Sequence, residues 1–137
     1  MTNAIRPFQG RGKVQIASRG DDLLVRINLA TSQTRKLKAE LRTFLRKEAA
    51  FVRPHFGPFE VHIWTSLYQN KSHLDVDNIA KACLDALNGV VWRDDRQVVR
   101  LTSEKFNGDR ATIVIRTRAL PGPLEAVPLN EGLFDMG

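Results

Sequence analysis

From Phe59 to Leu67 the chain alternates without a break, Phe59, Val61, Ile63, Thr65 and Leu67 interleaving with Glu60, His62, Trp64 and Ser66. A period of two over that length is a β-strand with one face in a core and the other outside it. Such a strand needs neighbours along both edges and a layer over its apolar face. Several segments offer themselves as neighbours. Leu23, Val25, Ile27 and Leu29 alternate with Leu24, Arg26 and Asn28, and Lys13–Ser18 alternates weakly through Val14 and Ile16 ahead of an Arg19-Gly20-Asp21 turn. Gln97–Phe106 and Ala111–Arg118 read as two more strands, and Asn107-Gly108-Asp109 between them is a hairpin signal.

Two stretches carry the helical period instead. Between Gln33 and about Val52, apolar Leu37, Leu41, Phe44, Leu45, Ala49 and Val52 recur on one side, with Lys38, Arg42, Arg46 and Lys47 opposite. Thr31 and Ser32 offer N-cap oxygens, and Arg53-Pro54-His55-Phe56-Gly57-Pro58 closes the segment. The second stretch follows Asp77, turns Ile79, Ala80, Cys83, Leu84 and Leu87 inward, and stops at Asn88-Gly89. The expected class is α+β: a mixed or antiparallel sheet of four to five strands with two helices packed on one face. At 137 residues there is room for one such domain. We place it at 21–118, with 1–20 as a basic extension holding a candidate short strand, and 119–137, with three prolines, as a flexible acidic tail.

Charge narrows the function. The chain is +6 overall, but 119–137 holds three acidic residues and no Lys or Arg, so residues 1–118 carry +9. A positive body of this size favours a polyanion, nucleic acid before membrane, since no amphipathic basic anchor is evident. No apolar run nears the ~20 residues of a membrane span, and no secretory signal opens the chain, so we read it as cytoplasmic. Cys83 is the single cysteine, which excludes an internal disulfide and a cysteine zinc site, and its apolar neighbours mark it as a packed structural thiol.

Asp75 and Asp77 stand two apart where a loop enters the second helix. Capping explains one aspartate there; a second adds repulsion that a bound cation would offset. A second acidic pair, Asp94-Asp95, lies in the loop returning from that helix, and an extended loop of this length reaches back to the helix start. Oxygen ligands without a Cys or His cluster suit Mg²⁺, or Mn²⁺ in its place, better than zinc. Lys81, four residues after Asp77 on the same helical face, admits two readings: a member of an ion-pair row with Asp77 and Asp85, or a cation beside a scissile phosphate.

These residues carry a resemblance. His73-Leu74-Asp75-Val76-Asp77-Asn78-Ile79-Ala80-Lys81-Ala82-Cys83-Leu84-Asp85-Ala86-Leu87 resembles the metal-binding helix of the RusA family of Holliday junction resolvases, and Val91–Val99 resembles its following loop and strand. The joint pattern, D-x-D-N-x-x-K-x-x-x-D-A-L and then W-x-D-D-x-Q-V-V, is far more specific than Asp-x-Asp. The resemblance implies a small bacterial or phage homodimer that resolves four-way DNA junctions with magnesium. It implies Asp75, Asp77 and Asp95 as catalytic metal ligands, Asp94 as a secondary candidate, and Lys81 as a lysine needed for cleavage. Asp85 matches a recurrent family position. Candidate DNA contacts are Lys71, His73, Arg93 and Arg96 around the acidic residues, and Lys38, Arg42 and Arg46 on the first helix. Two departures bear on junction binding: Ala30-Thr31-Ser32 stands where the family has a proline- and asparagine-rich loop, and Lys71-Ser72-His73-Leu74 where it has several arginines.

The competing reading is a non-catalytic or regulatory nucleic-acid-binding protein of the same fold. Binding alone has no use for a carboxylate cluster facing an anion, which favours the nuclease. A hydrolase of nucleotides would call for a phosphate-cradling glycine loop, and the sequence has none. Trp64 and Tyr68, or the Lys13–Ser18 segment, are the candidate dimer faces.

Overall fold

The alternation at Phe59–Leu67 produces a strand paired on both sides, and the rest of the sheet is arranged around it. In a computed structural model of the protein, the described residues are 14–28, 34–48, 54, 56–68 and 75–124, with the backbone alone at 5–9. The strands are β1 (Ile5–Gln9), β2 (Val14–Arg19), β3 (Asp22–Ile27), β4 (Phe59–Leu67), β5 (Val98–Asn107) and β6 (Thr112–Ala119), and the helices are α1 (Thr34–Glu48) and α2 (Val76–Leu87). One sheet runs in the order β1-β2-β3-β6-β4-β5. All its pairs are antiparallel except β4 with β5, which is parallel. The class is therefore α+β with a mixed sheet and two helices, as the patterning implies. The strand count is six rather than four to five, because Ile5–Gln9 adds an edge beside β2.

Register puts the apolar sets on one face. Ile16 lies opposite Val25, Val25 opposite Ile115 and Ile115 opposite Ile63, and all four are buried. Leu37, Leu41 and Leu45 of α1 and Ile79, Cys83 and Leu87 of α2 close over that face in the same core. Val14 and Ile16 belong to this core too, so the folded domain begins ahead of residue 21. The Cys83 thiol is buried and burial pushes its pKa up to about 12, which keeps it inert. Trp92, fully buried, packs its ring 5.5 Å from that of Phe59.

Two turns follow the sequence. Gly20, at φ 59°, makes the tight β2–β3 link in which Arg19 faces Asp22. Asn88 ends α2 and Gly89 follows at φ 81°. The expected hairpin at Asn107-Gly108-Asp109 is a correction. β5 and β6 are not neighbours; they flank β4 on opposite sides, and the link between them crosses the end of β4. Gly108 donates its N–H to the Leu67 carbonyl at 2.8 Å, Ser66 Oγ donates to the Arg110 carbonyl at 2.9 Å, and a Cβ at Gly108 would stand 2.0 Å from Ser66 Oγ. A larger residue there would displace the Ser66 hydroxyl from its bond to the Arg110 carbonyl. The Thr31/Ser32 cap, the end of α1 beyond Glu48, and the tail past Leu124 lie outside the described residues.

The helix-free face carries paired charges. Arg118 donates to both Asp22 oxygens, at 2.6 and 2.9 Å, and these bonds hold the Asp22 carboxyl below the usual carboxylate range. A depressed pKa contributes stability above the ordinary value of about 4, and that contribution is lost as pH falls through the lower folded value. Arg118→Met should therefore lower the urea midpoint at about pH 6, and the difference between the two proteins should shrink progressively as pH falls below about 4. Urea unfolding of both proteins across that range measures it.

Candidate active site

α2 presents its acidic N-terminus to solvent. Asp75 is the last residue before the helix, and its carbonyl accepts the Ile79 N–H at 3.0 Å. Its carboxylate makes no capping bond. Instead the Asn78 side-chain amide donates to Asp75 Oδ2 at 3.0 Å, and the Asn78 backbone N–H donates to Asp77 Oδ1 at 2.9 Å. Asn78 thus steadies both acids, a role that the D-x-D-N spelling signals in the sequence. Both aspartates are exposed, and among the described residues neither has an ion-pair partner. The helix dipole moderates their mutual repulsion, and free carboxylate oxygens remain for a hard cation.

Lys81 is exposed one turn further on. The ion-pair row with Asp77 and Asp85 does not form: Asp85 takes Lys38, at 3.4 Å, and its carbonyl accepts from Arg42 at 3.2 Å. Lys81 makes no ion pair among the described residues. It lines a cleft of about 330 Å³ between α1 and α2 with Arg35, Lys38, Asn78, Ala82 and Asp85. Arg35 was not among the sequence candidates; its signal is the three-residue spacing to Lys38, which sets both on one helical face. Lys38 and Arg42 are therefore tied to α2, whereas Arg46 points to solvent. Lys71 and His73 lie outside the described residues.

The second acidic pair divides its work. Asp94 caps the 3-10 turn Asp95–Gln97: its Oδ1 accepts the Arg96 N–H at 2.9 Å, and the Gln97 side chain takes the Asp94 N–H at 3.0 Å. Bonds from the Arg96 backbone and then its guanidinium hold the Asp94 carboxyl low. Asp95 Oδ1 accepts the indole N–H of buried Trp92 at 2.8 Å. Arg96 is thus engaged with Asp94, and Arg93 stands over the exposed Phe56 ring at 4.5 Å.

Asp95 does not return to the start of α2. β4 and β5 run parallel, so the helix joining them runs the other way. Ser103, well along β5, donates its hydroxyl to the Val76 carbonyl at the N-terminal end of α2. Trp92 and Asp95 sit instead at its C-terminal end, where Val91 N–H reaches the Leu87 carbonyl and Trp92 meets Phe59. A twelve-residue helix separates the two acidic groups by roughly 16 Å at 1.5 Å per residue. Among the described residues, no three Asp, Glu, His or Cys side chains are close enough to share a metal. The loop is long enough to reach back, but the strand it enters begins at the opposite end.

A family model, endodeoxyribonuclease RusA, matches residues 10–118, most of the chain. The chain belongs to the RusA family. It is accordingly an endodeoxyribonuclease of the Holliday junction resolvase class. A comparison with curated proteins finds no match. The RusA match takes in β2 to β5 and all but the last residue of β6, together with α1, the Asp75–Asp77 pair, Lys81 and Asp94-Asp95, and leaves out β1. No described helix is long and apolar enough to cross a membrane.

Asp95 has a structural task alongside any chemical one. Asp95→Ala removes the acceptor from a fully buried indole N–H, a change that typically costs about 1–3 kcal/mol. Asp95→Asn keeps an acceptor oxygen and should unfold close to wild type. Urea unfolding of the two variants distinguishes them, and equal stabilities would leave the Trp92 bond without weight.

Proposed function

We propose that this RusA-family nuclease requires magnesium, with manganese able to replace it, and resolves four-way DNA junctions by paired nicks as a symmetric homodimer. The observation that carries the reading is the exposed Asp75–Asp77 pair, without a counter-cation among the described residues and followed one turn later by an unpaired Lys81. The donor set suits the ion: carboxylate oxygens on a helix start, with an asparagine holding one of them. A bound Mg²⁺ there would orient water and offset charge on the departing oxygen. Lys81 would place its ammonium by the phosphate, and Arg35 and Lys38 would hold the adjoining backbone in the α1–α2 cleft.

With Asp95 at the far end of α2, the implied third ligand is best supplied by a second copy, as the partner's Asp95. Two nicks in opposing strands also call for two sites related by a two-fold axis. Mixing Asp77→Asn with Asp95→Asn subunits tests this directly. Mixed dimers recover one intact set of three carboxylates, and nick one strand, only if the acid comes from the partner; a silent mixture assigns each site to its own chain.

Labelled four-way junction and linear duplex, each with and without Mg²⁺, test the activity as a whole. Metal-dependent cutting confined to the junction is expected, and a protein that binds junctions yet never cuts would be the regulatory alternative. Asp75→Asn, Asp77→Asn and Asp95→Asn should each abolish cleavage while junction binding persists or tightens, because each removes negative charge from the DNA-facing surface. Lys81→Ala should slow single-turnover cleavage by about 10²-fold with the thermal midpoint unchanged. An unchanged rate would make Lys81 ordinary surface.

A further inference from the structure

The two edges of the sheet are built differently. β1 is five residues long with a register shift against β2, the kind of short, irregular strand that discourages pairing. β5 is ten residues long, contains no proline, and among the described residues has no strand on its outer side. Its only irregularity falls at its start, opposite Phe59 and Glu60, so Arg100–Asn107 runs regularly along β4. Apolar Val99, Leu101 and Phe106 are exposed on it. A long, regular and partly apolar edge invites another strand.

From these features we infer that the outer edge of β5 is a homodimer seam, paired antiparallel to β5 of a second copy with Thr102 on the two-fold axis. The charges select that register. With Thr102 on the axis, Arg100 lies opposite the partner's Glu104, and the symmetry repeats the contact. Sliding by one residue sets Arg100 against the partner's Lys105, a like-charge opposition made twice, and sliding the other way leaves Arg100 facing the partner's Ser103. Arg100 and Glu104 are exposed on the helix-free face, where Arg100 already reaches Glu60 at 2.6 Å and Glu60 reaches Arg116 at 3.4 Å. The partner's Glu104 would extend that row of alternating charge across the seam. The earlier candidate faces fit less well. The segment Val14–Arg19 is enclosed between β1 and β3, and Trp64 is covered by the stacked His62 ring at 3.8 Å and by the Arg116 guanidinium at 5.4 Å.

The seam rests on the dimer reading above and adds a consequence to it. With Thr102 on the axis, Ser103 and the N-terminus of α2 that it holds lie one residue from the two-fold, so the Asp75–Asp77 ends of the two copies face each other across the centre of the seam.

Charge reversal tests it on the full chain. By sedimentation equilibrium, Arg100→Glu and Glu104→Arg should each weaken the dimer by about tenfold or more, since each like-charge contact occurs twice, and the double variant should recover most of the loss. Thr102→Cys provides a measurement that needs no charge change. Residues directly opposite in an antiparallel pair have Cα atoms about 4.5–5.5 Å apart, within disulfide range, so mild oxidation should give a covalent dimer. The native Cys83 is buried and should give none in the parent protein. A dimer indifferent to both reversals and not cross-linked through position 102 overturns the seam and leaves the dimer standing. A wild-type chain that sediments as a monomer at micromolar concentration overturns both.

Discussion

The parallel pairing of β4 with β5 governs where everything else in this protein can lie. Parallel neighbours cannot be joined by a tight turn, so the chain must travel back along the sheet, and here α2 makes that journey. The return sends the Asp75–Asp77 end of the helix to the level of Ser103 and leaves Asp95 beside Trp92 and Phe59. It also sets β5 at the margin of the sheet, because the inner side of β4 is taken by β6. Separated acids and an open edge are two results of one topological choice.

The second organising contact is between helices. α1 has a strongly basic face, and a face of that kind is ordinarily left to water. Part of it instead turns to α2, through Lys38 to the Asp85 carboxylate and Arg42 to the Asp85 carbonyl. Exposed pairs of this kind add little stability, so their effect is better understood as orientation. They fix Arg35 and Lys38 beside Lys81 with one carboxylate among three cations, which leaves the cleft net positive. Asp85 thereby gains a positioning role that the spacing of the sequence pattern does not display.

Much of this was legible in the residues, and the errors share a cause. The alternation at Phe59–Leu67 and the one-sided period after Asp77 each place their own apolar side chains, so β4, α2 and the Asn88-Gly89 stop could be read locally. Asn107-Gly108-Asp109 has hairpin chemistry, yet whether two strands pair is decided by what lies between them, and β4 lies between β5 and β6. The reach of Asp95 was a similar misreading. Counting residues bounds how far a loop can go, while the direction of the strand it enters decides where it goes. Ile5–Gln9 has no clear alternation of its own and owes its strand to the partner offered by β2.

Asp95 ties the core to the proposed site in one residue. Asp75 and Asp77 are exposed, and their carboxylates are bonded only to Asn78 among the described residues, so the core places no demand on those side chains. Asp95 is different: its Oδ1 satisfies an indole N–H that is sealed from water, and its other oxygen has no hydrogen bond among the described residues. A buried donor of this kind keeps its acceptor in place more firmly than an exposed ion pair does, since losing it leaves the indole N–H without water or partner. The neighbouring Asp94 is occupied with capping the turn and with Arg96, which separates the structural acid from the one free to face a ligand. Of the two adjacent aspartates, Asp95 is therefore held in a fixed direction by the core, as a metal ligand would need to be, and Asp94 serves to shape the turn that carries it.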